Sequence, residues 1–297
     1  MFDWNDLKFF IAVAQNGSTL AAGRALGVNQ STVQRRLLNL EKQFGQRLVE
    51  RLPTGYQMTE LGHAVLPFAR TVEAAATVFE NNFSDLARAQ LGIIRLTCPE
   101  PVAFRLTQTG FLERFHDAHP DLKVEFVLSD HYVDLTHGEA DVALRSGDTD
   151  DDILVGRKIA DSLWAIYASR DYVERHGAPS GIAEIGDHPL IGFEESMTKH
   201  RAVTWLHEVA PNAYYVARNT SVLGLIYATK AGVGVSALPM ALGDFESDLI
   251  RVLGPIPELT RAWRILAHPD QRHTRRITAF FDFVLREIDA LRPILTG

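Results

Sequence analysis

Gln30, Ser31, Gln34 and Arg35 stand close together where Val33, Leu37, Leu40 and Phe44 recur every three or four residues. That spacing predicts a helix with one apolar stripe, and the four polar side chains then fall on or near its opposite side. From such a helix Gln can pair bidentately with adenine and Arg with guanine, while Ser31 and Thr32 can contact base or phosphate. The chemistry is base-edge readout in a DNA major groove. A helix-turn-helix pattern alone is equally compatible with a solvated polar face. Charge favours DNA. Arg24, Arg35, Arg36, Lys42, Arg47 and Arg51 face only Glu41 and Glu50 in that stretch, a local balance of +4 in a chain of formal net charge −7. A basic patch on an acidic protein is the electrostatic footprint of a localised polyanion site.

Two shorter helices must hold this one. The first opens behind Asp3 or Asn5, both good N-caps, and presents Leu7, Phe10, Ile11 and Ala14 on one face. Gly17 ends it. Ser18 caps a second helix, Thr19 to Leu26, whose small Ala21 and Ala22 let a neighbour approach closely. Gly27 gives the turn, and Asn29 caps the third helix, Gln30 to about Phe44.

From Thr59 and Glu60 to about Gln90 no strong break intervenes, though Pro67 can kink the first turns. Leu61, Val65, Phe68, Val72, Ala75, Phe79, Phe83 and Leu86 form a heptad-like stripe. Around 30 helical residues span roughly 45 Å, more than the small first domain can cover. A second copy of the chain is the economical cover; packing on the rest of the same chain is the alternative.

Beyond residue 91 short β-type runs alternate with helical ones. Ile93–Thr97, Lys123–Leu128 and Asp141–Leu144 read as strands, with one helix from Leu106 to His119 between the first two. Further strands are expected at Leu163–Ala168, Pro189–Phe193, Tyr214–Val216, Gly234–Leu238 and Ala262–Ala267. This is βαβ grammar and predicts a parallel, doubly wound sheet. Ligands bind such sheets off the carboxyl ends of their strands. That rule selects Cys98, Pro99 and Glu100, then Ser129 with Asp130, then Arg145 and Ser146, then Phe193 to Ser196, and finally Asn219, Thr220 and Ser221. Backbone N–H groups at the helix start after Ser221 can hold an anion. Arg145 is a counter-charge for a ligand carboxylate, or equally a partner of Asp148, Asp150 or Asp151. Glu100 argues against a strongly anionic ligand.

Catalytic and cofactor signatures are weak. Gly232-Val233-Gly234 follows a helix and leads into a strand, the reverse of a dinucleotide fingerprint. There is no phosphate-loop Gly-Lys-Ser/Thr and no HExxH among the 11 histidines, and His268 and His273 lack partners of ligand type. No metal or cofactor is therefore expected. Cys98, the single cysteine, has no defined base beside it and reads as a core or pocket residue. One cysteine excludes an intrachain disulfide framework and suits a reducing cytoplasm. Met1-Phe2-Asp3 leads straight into the first helix, without a signal peptide, and no run of 18 apolar residues suggests a membrane span. Length, 297 residues, allows two or three domains.

Residues 1–62 resemble the N-terminal domain of LysR-type transcriptional regulators. The resemblance is carried by Phe10, Val13-Ala14, Gly17-Ser18, Ala21-Ala22, Leu26, Gln30-Ser31, Val33, Leu40-Glu41, Gly45, Leu48, Arg51 and Leu61-Gly62. It continues more loosely through Asp134, Gly138, Asp141 to Arg145, Ala231 to Gly234 and Leu238-Pro239. Three positions depart from the pattern: Gln34 stands where Ser is usual, Leu38 where a basic residue is common, and Val49 where Phe is frequent. The first two alter the reading surface, so an operator cannot be borrowed from relatives.

The resemblance implies an α+β multidomain fold. Residues 1–60 would be a winged helix-turn-helix, 61–90 a linker and dimerisation helix, and 91–297 a two-lobed α/β effector domain resembling periplasmic binding proteins. Lobe I would hold 91–160 plus 268–297 and lobe II 161–267, with crossings near Asp161 and Ala267. The wing would run from Arg51 to Thr59 with Gly55 at its tip and Thr54 or Tyr56 near phosphate. The DNA-contacting set is then Asn29, Gln30, Ser31, Thr32, Gln34, Arg35, Arg36, Arg51, Thr54 and Tyr56. The implied partners are a roughly two-fold symmetric operator, a small-molecule effector, and other copies of the chain as homodimer or homotetramer. A small-molecule binding protein whose first domain serves only assembly is the rival.

Overall fold

The computed structural model describes residues 3–52, 55–147, 153–194, 197 and 200–297, with backbone alone at 81–82 and 84–88. The chain forms two compact units, Met1–Ser84 and Asp85–Gly297.

In the first unit α1 (Asp6–Asn16), α2 (Thr19–Leu26) and α3 (Gln30–Phe44) precede an antiparallel ribbon, β1 (Val49–Leu52) with β2 (Gly55–Met58). Then α4 (Glu60–Gln90) begins. The local signals act as their chemistry dictates. Gly17 and Gly27 both take φ 65° and stop α1 and α2. Ser18 Oγ accepts the Ala21 N–H at 3.0 Å. Phe10, Ala22, Val33 and Leu40 are fully buried together, and the start of α4 adds Val65, Leu66 and Ala69 to their core. Phe44 departs from the expected stripe and is 50% exposed. Its place is taken by Leu48 and Val49, whose N–H groups both donate to the buried Glu41 carboxylate, at 2.8 and 3.1 Å. The helix therefore ends its buried face with an acceptor that anchors the ribbon. Along α4, Phe68, Phe79 and Phe83 lie open at 72%, 71% and 68% exposure.

The second unit holds β3 (Ile93–Cys98), α5 (Glu100–Gln108), α6 (Phe111–Ala118), β4 (Lys123–Leu128), β5 (Val142–Ser146) and β6 (Val155–Ser162). It continues with β7 (Trp164–Ser169), α7 (Arg170–His176), β8 (Leu190–Phe193), α8 (Arg201–Val209), β9 (Tyr215–Asn219), α9 (Val222–Lys230) and β10 (Val235–Pro239). Last come α10 (Met240–Gly243), β11 (Leu249–Leu253), β12 (Arg261–Ala267), α11 (Pro269–Arg272), α12 (Arg275–Arg286) and α13 (Ile288–Thr296). The single helix expected over 106–119 is two, because Gly110 at φ 69° breaks it.

Two five-stranded sheets result, in the orders β4-β3-β5-β12-β6 and β11-β7-β10-β8-β9. Neither is purely parallel. Each sets a single strand, β12 in the first and β7 in the second, antiparallel to the other four. The antiparallel pairs are made where the chain changes lobe. β6 ends at Ser162 in lobe I and β7 starts at Trp164 in lobe II. β12 pairs with β5 and β6, so residues 261–267 belong to lobe I and the return crossing lies just before Arg261, not near Ala267. Each sheet has its own core. That of lobe I stacks Phe111, Phe115, Phe280 and Phe283 edge to face at 5.2–6.3 Å between centroids. That of lobe II centres on Tyr167, Ile191, Leu225 and Leu238.

Candidate nucleic-acid interface and ligand cleft

The polar side of α3 is open where base contacts need it. Ser31 and Arg35 are exposed, with Lys42 on the same side, and Thr32 and Gln34 are half-buried. Asn29 is exposed and precedes the helix in extended backbone without a side-chain cap bond. Gln30 is exposed, and its Nε2 donates to Thr19 Oγ1 at 3.1 Å, which ties the recognition helix to α2. Leu38 is 63% exposed among these residues and offers a methyl-bearing surface instead of a charge.

Arg36 does not join them. Its Nη1 donates to Asp6 Oδ1 at 3.0 Å and Asp3 Oδ2 at 3.1 Å, and its guanidinium lies 5.9 Å from the Phe9 ring centroid. The hydrogen bond it donates to Asp6, above all, raises its pKa further. Lying next to Leu37, it flanks the buried stripe and is drawn to the buried Asp6 of α1. In the wing, Arg51 is exposed on β1. Tyr56 packs partly on the core, and its N–H donates to the Gly17 carbonyl at 2.8 Å. Gly55, at φ 140°, allows that approach: a Cβ there would stand 2.7 Å from the same carbonyl oxygen. Thr54 lies outside the described residues.

The second unit contains a cleft of about 240 Å³ between its lobes. Lobe I contributes Cys98, Pro99, Ser129, Arg145 and Ser146 from strand ends, and lobe II contributes Phe193. Four expected residues are not in its wall. Glu100 opens α5 on the exposed side. Ser221 is used as the cap of α9, accepting the Gly224 N–H at 3.0 Å. The Asn219 carbonyl accepts the Glu194 N–H at 2.9 Å, and Thr220 is exposed. The lining resumes at Val222. Ser196 lies outside the described residues.

The start of α9 faces an acidic side chain that the chain itself supplies. Asp130 of lobe I lines the cleft. Burial raises its pKa, opposed by the Val222 backbone N–H, which favours the carboxylate across the lobe boundary. Arg145 donates to the Val133 carbonyl, and its guanidinium is 4.9 Å from the Tyr132 ring centroid. Burial pushes the Cys98 thiol up to about 12, so it stays protonated and is no nucleophile at neutral pH. Burial, and then Arg261, holds His200 neutral by lowering its pKa to about 3.

Tyr132, Trp164, His200, Arg261 and Trp263 complete the wall and were missed. The strand-end rule looks only at carboxyl ends of parallel strands. Trp164 opens β7, and Arg261 and Trp263 open β12, the two strands that enter a lobe at a crossing. A cleft between lobes is floored by its crossings, so the expected crossing near Asp161 was the signal that could have found Trp164. Among the described residues no group of His, Cys, Asp and Glu is arranged to hold a metal, and no helix is long and apolar enough to cross a membrane.

Residues 4–63 match the bacterial regulatory helix-turn-helix protein family of lysR type, and residues 87–289 match the LysR substrate binding domain. The HTH-type transcriptional regulator CrgA of Neisseria meningitidis serogroup C is 26% identical over 291 residues, 95% of this chain and 96% of that one. An HTH-type transcriptional regulator of Xanthomonas campestris is 30% identical over 198 residues, 67% of this chain and 57% of its own. Among solved structures, CrgA superposes with a TM-score of 0.58 at 24% identity, covering 97% of this chain and 99% of that one. CbnR, a LysR family transcriptional regulator, gives 0.57 at 20% identity over 97% and 99% of the two chains. With both domains matched in order along one chain, the protein belongs to the LysR-type transcriptional regulators: DNA-binding proteins with a ligand-binding domain, not enzymes.

Proposed function

We propose that α3 reads an operator through Ser31, Gln34 and Arg35, with Asn29, Gln30 and Thr32 at its entry and Arg51, Tyr56 and Thr54 of the wing toward the backbone. The effector is held by Cys98, Pro99, Ser129, Arg145, Ser146 and Phe193, together with the crossing residues. The working division is a DNA-binding segment to residue 60, a linker helix to 90 and an effector domain beyond it. Two copies pair along α4, and two such dimers can form a tetramer. The protein acts in the cytoplasm, where its operator is.

The observation that carries this reading is a cleft walled by both lobes. A ligand there touches groups whose spacing depends on lobe closure, so it favours one closure over another. Coupling of that kind shifts operator affinity by about 1–3 kcal/mol. Mapping the genomic sites bound by the chain, then titrating one of them by fluorescence anisotropy at several salt concentrations, tests it. The expected result is a two-fold symmetric site whose affinity falls steeply with salt. Binding without sequence preference overturns it.

A further inference from the structure

The cleft wall is chemically one-sided, and it describes its ligand. Trp164, Phe193 and Trp263 supply flat apolar surface from both lobes. The polar part is rich in donors. Ser146 Oγ is buried in the wall without a hydrogen-bond partner among the described residues. His200 accepts the Ala202 N–H on Nδ1 at 3.3 Å, so its other nitrogen carries the proton and is a donor. Arg145 and Arg261 add guanidinium N–H groups. Arg261 shares the wall with Ser146 and lies against the next residue, Gly147, whose backbone takes φ 134° and carries no side chain to keep the guanidinium away. A Cβ there would stand 3.2 Å from Arg261 Nη1 and 2.9 Å from the Tyr132 hydroxyl. Among the described residues of the wall Asp130 is the acidic side chain; it faces the Val222 N–H at the start of α9, and like charge disfavours a second acidic group beside it.

We propose that the cleft takes a flat aromatic monocarboxylate, its carboxylate hydrogen-bonded by Ser146 and Arg261 and its ring held among Trp164, Phe193 and Trp263. This rests on the cleft being the effector site. Size sets the class: a cavity of about 150 Å³ holds benzene, so about 240 Å³ admits a substituted ring or two fused rings. A carboxamide would turn N–H groups toward donors. A dicarboxylate would bring its second charge against Asp130.

The test uses the full chain at neutral pH with benzoate, indole-3-carboxylate and 2-naphthoate, each beside its carboxamide, and adipate as the flexible dicarboxylate. Calorimetry is followed alongside tryptophan emission, because two of the chain's four tryptophans line the cleft. At least one aromatic acid is expected to bind at least about tenfold more tightly than its amide and than adipate, with a change in emission. Ser146→Ala should weaken that acid by about tenfold, the value of a hydrogen bond to a charged group. Arg261→Gln should bring acid and amide within about threefold of each other. The ligand class is overturned if none of the three acids binds, if an amide matches its acid, if adipate binds more tightly, or if Ser146→Ala leaves the acid's affinity unchanged. Should an amide or adipate bind and alter operator affinity, the cleft remains the effector site and only the class falls. If an acid binds as described but leaves operator affinity and footprint untouched, the class stands and the regulatory reading falls.

Discussion

Arg35 and Arg36 are neighbours in sequence but differ in use, because one helical step turns a side chain by about 100°. Arg35 stands exposed, while Arg36 is bonded to Asp6 of the first helix and to Asp3 just before it. Arg35→Ala should therefore weaken specific operator binding by about 1–3 kcal/mol per lost base contact, with the oligomer intact. A gel-shift titration checks this, and an unchanged midpoint removes Arg35 from the reading set. A second residue-scale prediction concerns His200. It is neutral in the fold, with a pKa near 3, and its Nδ1 must stay an acceptor for the Ala202 N–H. The unfolded chain regains an ordinary histidine pKa of about 6.5 and binds the proton more readily. Stability is thus lost as pH falls from about 6.5 toward 3, by on the order of 2 kcal/mol at pH 5. His200→Gln should flatten that part of the stability–pH curve in urea melts; a slope equal to that of the parent chain contradicts it. Placements that come from local helical geometry, such as the exposed side of α3 at Ser31 and Arg35 and the cap at Ser18, were legible in sequence. Arg36 was not, since its partners lie 33 and 30 residues away, just before and at the start of another helix.

Elements were legible wherever their signal is local. The caps at Ser18 and Gly27 and the extent of α3 need only neighbours in the chain, and they fall where the residue types place them. The edge strand β6 did not show, because its open, charged first half carries no clear apolar run; the short apolar run of β11, Leu249–Leu253, is the exception, passed over although its signal is local. Strand direction was equally hidden: it depends on which lobe the chain has just left. One ion pair joins elements that sequence cannot associate. Arg276 of α12 meets Asp141, just before β5, at 2.5 and 2.8 Å, both side chains almost wholly buried. Asp141 also accepts the Arg95 N–H at 2.7 Å, and Arg276 donates to the Ile93 carbonyl at 2.6 Å, so β3, β5 and α12 share one polar joint. Removing either partner strands a buried charge, which costs about 3–5 kcal/mol. Arg276→Met should lower urea stability by that amount, and a loss below about 1 kcal/mol would show that the joint is not holding lobe I together.

At the scale of the whole molecule the open question is what covers α4. Phe68, Phe79 and Phe83 are separated by 11 and 4 residues, steps that return a helix to nearly the same face. All three are about two-thirds exposed or more, at 72%, 71% and 68%. A row of phenylalanines in water forgoes roughly 1.5–3 kcal/mol per ring that burial would recover. A second copy offers the same row, so a two-fold pairing buries both at once. Phe79→Asp then places two like charges near each other across that seam, without touching the core of the first unit. Light scattering should give two or four chains for the parent protein and one for the variant. Operator affinity should fall with it, by about 100-fold or more, because two half-sites are no longer held by one particle. Both effects are required together. A variant that keeps the parent's mass places the pairing surface elsewhere, and one that becomes a monomer yet binds the operator as tightly shows that the operator is read by single chains.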